Sequence, residues 1–124
     1  VQIKKGIVDK LELGNLDSYR DWGHSKDYVR AMHMILNYEK ADEWIVSTGR
    51  AKSVRDLCDT VFSNLGLDYK KYVVQNPKYM RPEELKYLKG DSKITRDILG
   101  WKPDYTFETM LEEMIEKWMK HYNG

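Results

Sequence analysis

The stretch LGNLDSYRDWGHSKDYVRAM, residues 13–32, sets Gly14, Asn15, Asp17, Arg20, Asp21, Trp22 and Gly23 into one loop and then runs straight into a helix. On its upstream side KLELG, residues 10–14, alternates as a short strand that ends at Gly14. On its downstream side Ser25 has the side chain of a helix N-cap, and Asp27 falls in the first turn, where the helix dipole favours an anion. Tyr28, Met32, Ile35 and Leu36 form the apolar stripe expected of a helix that reaches about Asn37. A loop so dense in donors and acceptors, placed between strand and helix, is suited to hold a ligand.

The rest of the chain repeats this alternation. Residues 1–9 read as the tail of a helix, and EWIVST, residues 43–48, as a buried strand turned by Gly49. Ser53 opens a helix on which Val54, Leu57, Cys58, Val61, Phe62 and Leu65 share one face, with Gly66 as its stop. YKKYVV, residues 69–74, reads as strand, and a loop with Pro77 and Pro82 follows, because proline disfavours helix in the residue before it. A short strand over 85–89 and a short helix over 91–100 come next. The last helix is capped by Thr106 and keeps the 3.6-residue period from Phe107 to Tyr122. The pattern predicts an α/β fold, one domain over residues 1–124, with a few short strands among the helices.

Composition removes several functions. Lys plus Arg (21) almost cancels Asp plus Glu (20), so no bulk field draws nucleic acid or an acidic membrane, and any anion site must be local. No apolar run is long enough to span a bilayer. A single cysteine, Cys58, excludes an internal disulfide and suits the cytoplasm; its place on an apolar helix face predicts a buried structural thiol. The Met110–Met119 stripe is expected to pack in the core. His24, His33 and His121 lie apart without cysteine or carboxylate at ligand spacing, so no metal site is expected. Neither a glycine-rich dinucleotide loop nor a phosphate-binding G-x-x-x-x-G-K-[ST] occurs, and no tyrosine has a lysine four positions later. The motifs supply no self-contained catalytic apparatus.

Two arginines remain as candidate ligands. Arg20 lies in the opening loop among Asp17, Asp21 and Trp22; Arg81 lies in KYMRPEEL, residues 78–85, with Pro82 stiffening the backbone and Glu84 three positions on. Guanidinium forks match phosphate oxygens, and a carboxylate accepts from the two vicinal hydroxyls of a ribose. Two arginines and one carboxylate therefore suit a nucleoside diphosphate. The competing reading pairs Arg20 with Asp17 or Asp21 and Arg81 with Glu83, makes Asn15 a turn residue, and makes Trp22 a loop anchor.

LGNLDSYRDWGHSKDYVRAM, STGRAKSVRDL, YMRPEELKYLKGDSKITRDILGWKP and TFETMLEEMIEKW resemble, in that order, the C-terminal part of the GDP-mannose 4,6-dehydratase family of extended short-chain dehydrogenases/reductases. The resemblance spans about residues 6–120. It implies a substrate lobe whose full-length enzyme binds NADP in an N-terminal Rossmann domain and converts GDP-mannose to GDP-4-dehydro-6-deoxy-mannose. The cofactor loop and catalytic residues of that domain have no counterpart here, so no cofactor, catalytic residue or metal is assigned to this chain. The chain alone is expected to be inactive.

The resemblance further implies that Arg20 and Arg81 contact the diphosphate or ribose of GDP, that Glu84 accepts from the ribose, and that Leu13 to Asn15 edge the pocket. GDP-mannose or GDP, the missing Rossmann domain or partner chain, and a possible homo-oligomer are the implied partners. The sequence departs from the family pattern at Lys52, usually His, and at Glu83, usually Thr and here a competitor for Arg81; the segment between Tyr72 and Lys78 is shorter than in many relatives. Two rivals stand beside this reading: the corresponding part of a GDP-6-deoxy-4-keto-mannose reductase, and a stand-alone nucleotide-binding or interaction module.

Overall fold

The computed structural model describes all 124 residues. Four strands of three residues each and four helices make an α/β fold. Strand β1, Leu11–Leu13, pairs in parallel with β4, Val73–Gln75, with Leu11 opposite Val73. Strand β2, Tyr19–Asp21, pairs antiparallel with β3, Ala51–Ser53, so that Arg20 faces Lys52 across the ladder. The opening loop therefore lies between two separate small sheets, and each end of it is fixed by a different one.

Helix α2, Val54–Asn64, begins where expected. Ser53 accepts from the Asp56 amide while Asp56 accepts from the Ser53 amide, a reciprocal cap of a kind that contributes on the order of 1 kcal/mol. Its face carries Cys58 and Phe62 into the core with Leu16 and Tyr69, and Ile3, Leu13, Val54 and Val73 pack around them. Cys58 is buried and burial pushes its thiol above the ordinary range, in keeping with a structural role. Helix α4, Phe107–Asn123, is capped by Thr106 as predicted and packs on α2. Its stripe is only half used: Met110 and Leu111 are buried, whereas Met114 and Trp118 stay exposed along an apolar groove that also runs past Ile3, Val8 and Leu65.

Helix α1, Ser25–Leu36, starts one residue earlier than the predicted Ser25 cap implies. His24, not Ser25, is the N-cap, its Nδ1 accepting from the Lys26 amide at 3.0 Å. The face it buries is also different. Asp27 and Ala31 point inward, while Met32 and Leu36 of the expected stripe join Val29 on an exposed face, Leu36 at 83%. Asp27 earns its place by capping a neighbour: its carboxylate accepts from the amides of Asp104 at 3.0 Å and Tyr105 at 3.1 Å, and its carbonyl from Trp101 Nε1 at 2.9 Å. Those bonds tie α1 to the chain between α3, Lys93–Leu99, and α4. Helix α3 ends on Gly100 at φ +68°, a left-handed cap that glycine takes without steric cost.

Three predicted strands are corrected. Residues 43–48 form no strand and join no sheet; Thr95 Oγ1 donates to the Ile45 carbonyl at 2.7 Å and Ser92 Oγ to that of Ser47 at 3.0 Å, so side chains take the place of a ladder. Residues 69–74 divide into a 3-10 turn at Tyr69–Lys71 and the start of β4. Residues 85–89 contribute a single bridge, Tyr87 to Tyr19. Residues 1–9 form hydrogen-bonded turns, such as Lys5 N–H to the Val1 carbonyl at 3.0 Å, and no regular helix. No helix is long and apolar enough to cross a membrane.

Candidate functional site

The loop at 14–20 is shaped by its own side chains. Asn15 Oδ1 accepts from the Asp17 amide at 2.9 Å, an Asx turn, and Asn15 Nδ2 donates to Ser18 Oγ at 2.9 Å. The second Nδ2 hydrogen reaches Glu84 Oε2 at 3.4 Å. The side chain of Asn15 is thus committed within the chain, and the group it leaves free is its backbone N–H, which has no acceptor. The turn reading of Asn15 and its place beside Glu84 hold together.

Arg20 does not pair with either neighbouring aspartate. Its Nη1 donates to the carbonyls of Tyr19 at 2.7 Å and Leu85 at 2.8 Å, and its Nη2 lies 3.4 Å from Glu84 Oε1. Asp17 instead holds Arg55 at 3.1 Å. Asp21 is occupied by the backbone: it accepts from the amides of Thr48 at 2.8 Å, Gly49 at 2.9 Å and Gly90 at 3.3 Å. A guanidinium carries five donors, so Nε–H and one Nη2 hydrogen of Arg20 stay available. The Arg20 and Glu84 side chains are 27% and 21% exposed, and bonds of 3.4 Å are long for a charged pair. Glu84 keeps room to accept from another donor. The three residues form a preorganised, loosely held cluster.

Arg81 stands apart from them. Its side chain makes no hydrogen bond or ion pair, and Glu83 does not compete for it. Its backbone is nonetheless brought to the loop. Asn76 N–H donates to the Leu13 carbonyl at 2.7 Å, and the 3-10 turn Pro77–Tyr79 lies so close to Gly14 that a Cβ there would stand 2.4 Å from the Tyr79 carbonyl oxygen. Only glycine admits that approach. Gly14→Ala is expected to displace the turn that precedes Arg81, with a loss of about 1–3 kcal/mol from overpacking, read by urea unfolding.

Trp22 is an anchor, its Nε1 donating to the Lys52 carbonyl at 2.9 Å and locking the loop to β3. Sequence reasoning missed Asp21 and Asp27 as the carboxylates that hold the loop and helix in place. The amides that donate to them lie 27 to 78 positions away, and no local pattern marks them. No three His, Cys, Asp or Glu side chains gather as a metal site.

Residues 1–114 match the family described as GDP-mannose 4,6 dehydratase. The chain belongs to this family. Within the GDP-mannose 4,6-dehydratases it is 41% identical to GDP-mannose 4,6 dehydratase 2 of Arabidopsis thaliana over 116 residues, covering 94% of this chain and 31% of that protein. The chain thus spans about a third of the length of the curated relatives it matches. Two solved structures share the fold. The RMD protein of Pseudomonas aeruginosa, complexed with NADPH, superposes with a TM-score of 0.85 at 24% identity, over 97% of this chain and 39% of that one. UDP-glucose 4-epimerase of Thermotoga maritima, with UDP-glucose, gives 0.83 at 23% identity, over 98% and 38%. The fold is that of the C-terminal part of extended short-chain dehydrogenases/reductases.

Proposed function

We propose that these residues form the GDP-sugar-binding lobe of a GDP-mannose 4,6-dehydratase, the NADP-dependent enzyme that turns GDP-mannose into GDP-4-dehydro-6-deoxy-mannose. The observation that carries this is the half-committed guanidinium of Arg20 beside the open carboxylate of Glu84, with Arg81, three positions before Glu84, free of any partner in the chain. Arg81 and the free donors of Arg20 take the diphosphate oxygens. Glu84 accepts from the ribose hydroxyls, and the Asn15 amide is left to the pocket edge. Charge-assisted bonds of this type contribute roughly 1.5–3 kcal/mol each.

The nicotinamide cofactor does not fit this part of the protein. Its two sheets have two strands apiece and no glycine-rich turn from strand to helix, so no residue here offers a pyrophosphate cradle. On this reading NADP and the reacting groups belong to the Rossmann portion of the enzyme, and this lobe binds and orients the nucleotide. The surface supports such a division. Val29, Met32 and Leu36 form an exposed apolar face on α1. A contiguous exposed apolar face of this kind suits burial against a neighbouring domain. A cytoplasmic setting suits the one unpaired cysteine.

Calorimetric titration of the chain with GDP, against UDP as control, tests the reading. Saturable binding of GDP that is tighter than that of UDP supports a preformed site with guanine preference. Equal binding of the two removes the guanine specificity on which the GDP-sugar reading depends.

A further inference from the structure

A second cavity, of about 400 Å³, opens where the loop 48–52 meets the start of α4. None of Asn15, Arg20, Arg81 or Glu84 lines it. We propose that it is a separate binding site for a phosphate ester that carries an aromatic ring. Its walls hold three cations, Arg50, Lys52 and Arg96, none of which has a carboxylate partner. Two acids share the wall: Asp104 is engaged by Arg30 at 3.3 Å, and Glu108 is exposed in the first turn of α4. Positive charge is left in excess.

The backbone adds donors of its own. Thr106 Oγ1 caps only the Thr109 amide, so the N–H groups of Phe107 and Glu108 have no acceptor. They stand at the positive end of a 17-residue helix, inside the cavity wall. Amides of this kind, with cationic side chains opposite, are the chemistry that recognises a phosphate dianion. The cavity also has rings. Trp22 and Phe107 line it, Trp22 with its edge fixed by the bond to the Lys52 carbonyl, and Lys52 Nζ lies 5.8 Å from the Phe107 centroid. Tyr105 is already stacked on His24 at 4.0 Å, which leaves Trp22 and Phe107 for a ligand's ring. The volume lies within the range of small-molecule sites, roughly 300–1,000 Å³.

The test is a titration of the ¹⁵N-labelled chain with adenosine 5′-phosphate, and in parallel with inorganic phosphate, followed by amide and indole chemical shifts. The account predicts saturable shifts of the Phe107 and Glu108 amides and of the Trp22 indole N–H. Inorganic phosphate is expected to move the two amides at least ten-fold more weakly and to leave the indole in place. The Arg50→Ala/Arg96→Ala double variant, whose altered side chains are exposed, should raise the dissociation constant at least ten-fold. Arg81→Ala should leave it unchanged, and Glu108→Gln should lower it. Equal affinity for the two probes, an unchanged constant in the double variant, or shifts confined to residues 14–20 and 81–85 would each overturn the proposal.

Discussion

Asp27→Ala is expected to destabilise the fold by about 3–5 kcal/mol, the range for removing one member of a buried charged network. Asp27 is 2% exposed, and its carboxylate is the sole acceptor for the amides of Asp104 and Tyr105. The alanine leaves both amides without an acceptor, and Arg30 loses its 3.4 Å contact while retaining Asp104. Asp27→Asn should fall between wild type and alanine, because one amide oxygen can serve one of the two donors and its NH₂ opposes the other. Urea unfolding followed by far-ultraviolet circular dichroism reads the series. With total stabilities of typically 5–15 kcal/mol, the alanine variant should be marginal at 37 °C. An alanine variant within about 1 kcal/mol of wild type would show that Asp27 does not hold α1 to the start of α4.

Trp101→Ala should cost a comparable amount, about 3–5 kcal/mol for a fully buried aromatic side chain. Trp101 has no exposed surface, sits one residue beyond the Gly100 turn, and carries the indole that reaches the Asp27 carbonyl; Arg30 lies 6.0 Å over its ring. Trp101→Phe separates packing from hydrogen bonding. It keeps most of the ring and loses only a bond to a carbonyl that also belongs to the helix, so its cost should stay near 1 kcal/mol. Equal losses in the two variants would mean that the indole N–H, not the bulk of the ring, holds α3 and α4 on α1.

The elements that could be read from sequence are those whose signals are local. Ser53 and Thr106 cap α2 and α4, and Gly66 and Gly100 follow α2 and α3, at positions the sequence alone assigns, because a cap needs only residues three or four apart. Residues 43–48 depart from the strand their sequence predicts for a physical reason: Ile45 and Val46 favour a pleated, half-buried surface, but that preference is realised only beside another strand. Here Thr95 and Ser92 occupy that place. The apolar stripe of α1 misleads similarly, since periodicity shows that a face is apolar and not that this chain covers it.

The candidate site was legible only as a set of residue types. Nothing local shows that Arg20 turns from Asp17 and Asp21 to Glu84, 64 positions away. That partner choice follows from the single bridge between Tyr19 and Tyr87, which lays residues 84–88 along β2 and aims the Leu85 carbonyl at the guanidinium. Gly14 could be read as the end of a strand, but its close approach to Tyr79 is a tertiary fact.

The most direct measurement is the dissociation constant for GDP in Arg81→Ala, with Arg55→Ala as control. Arg55 is a surface arginine already paired with Asp17, and Arg81 has no partner within the chain. A diphosphate site predicts that Arg81→Ala binds roughly 10- to 150-fold more weakly, the equivalent of 1.5–3 kcal/mol, while Arg55→Ala binds as wild type does. Identical constants for wild type and Arg81→Ala would contradict the account, because Arg81, which has no partner within the chain, would then have no part in holding the nucleotide.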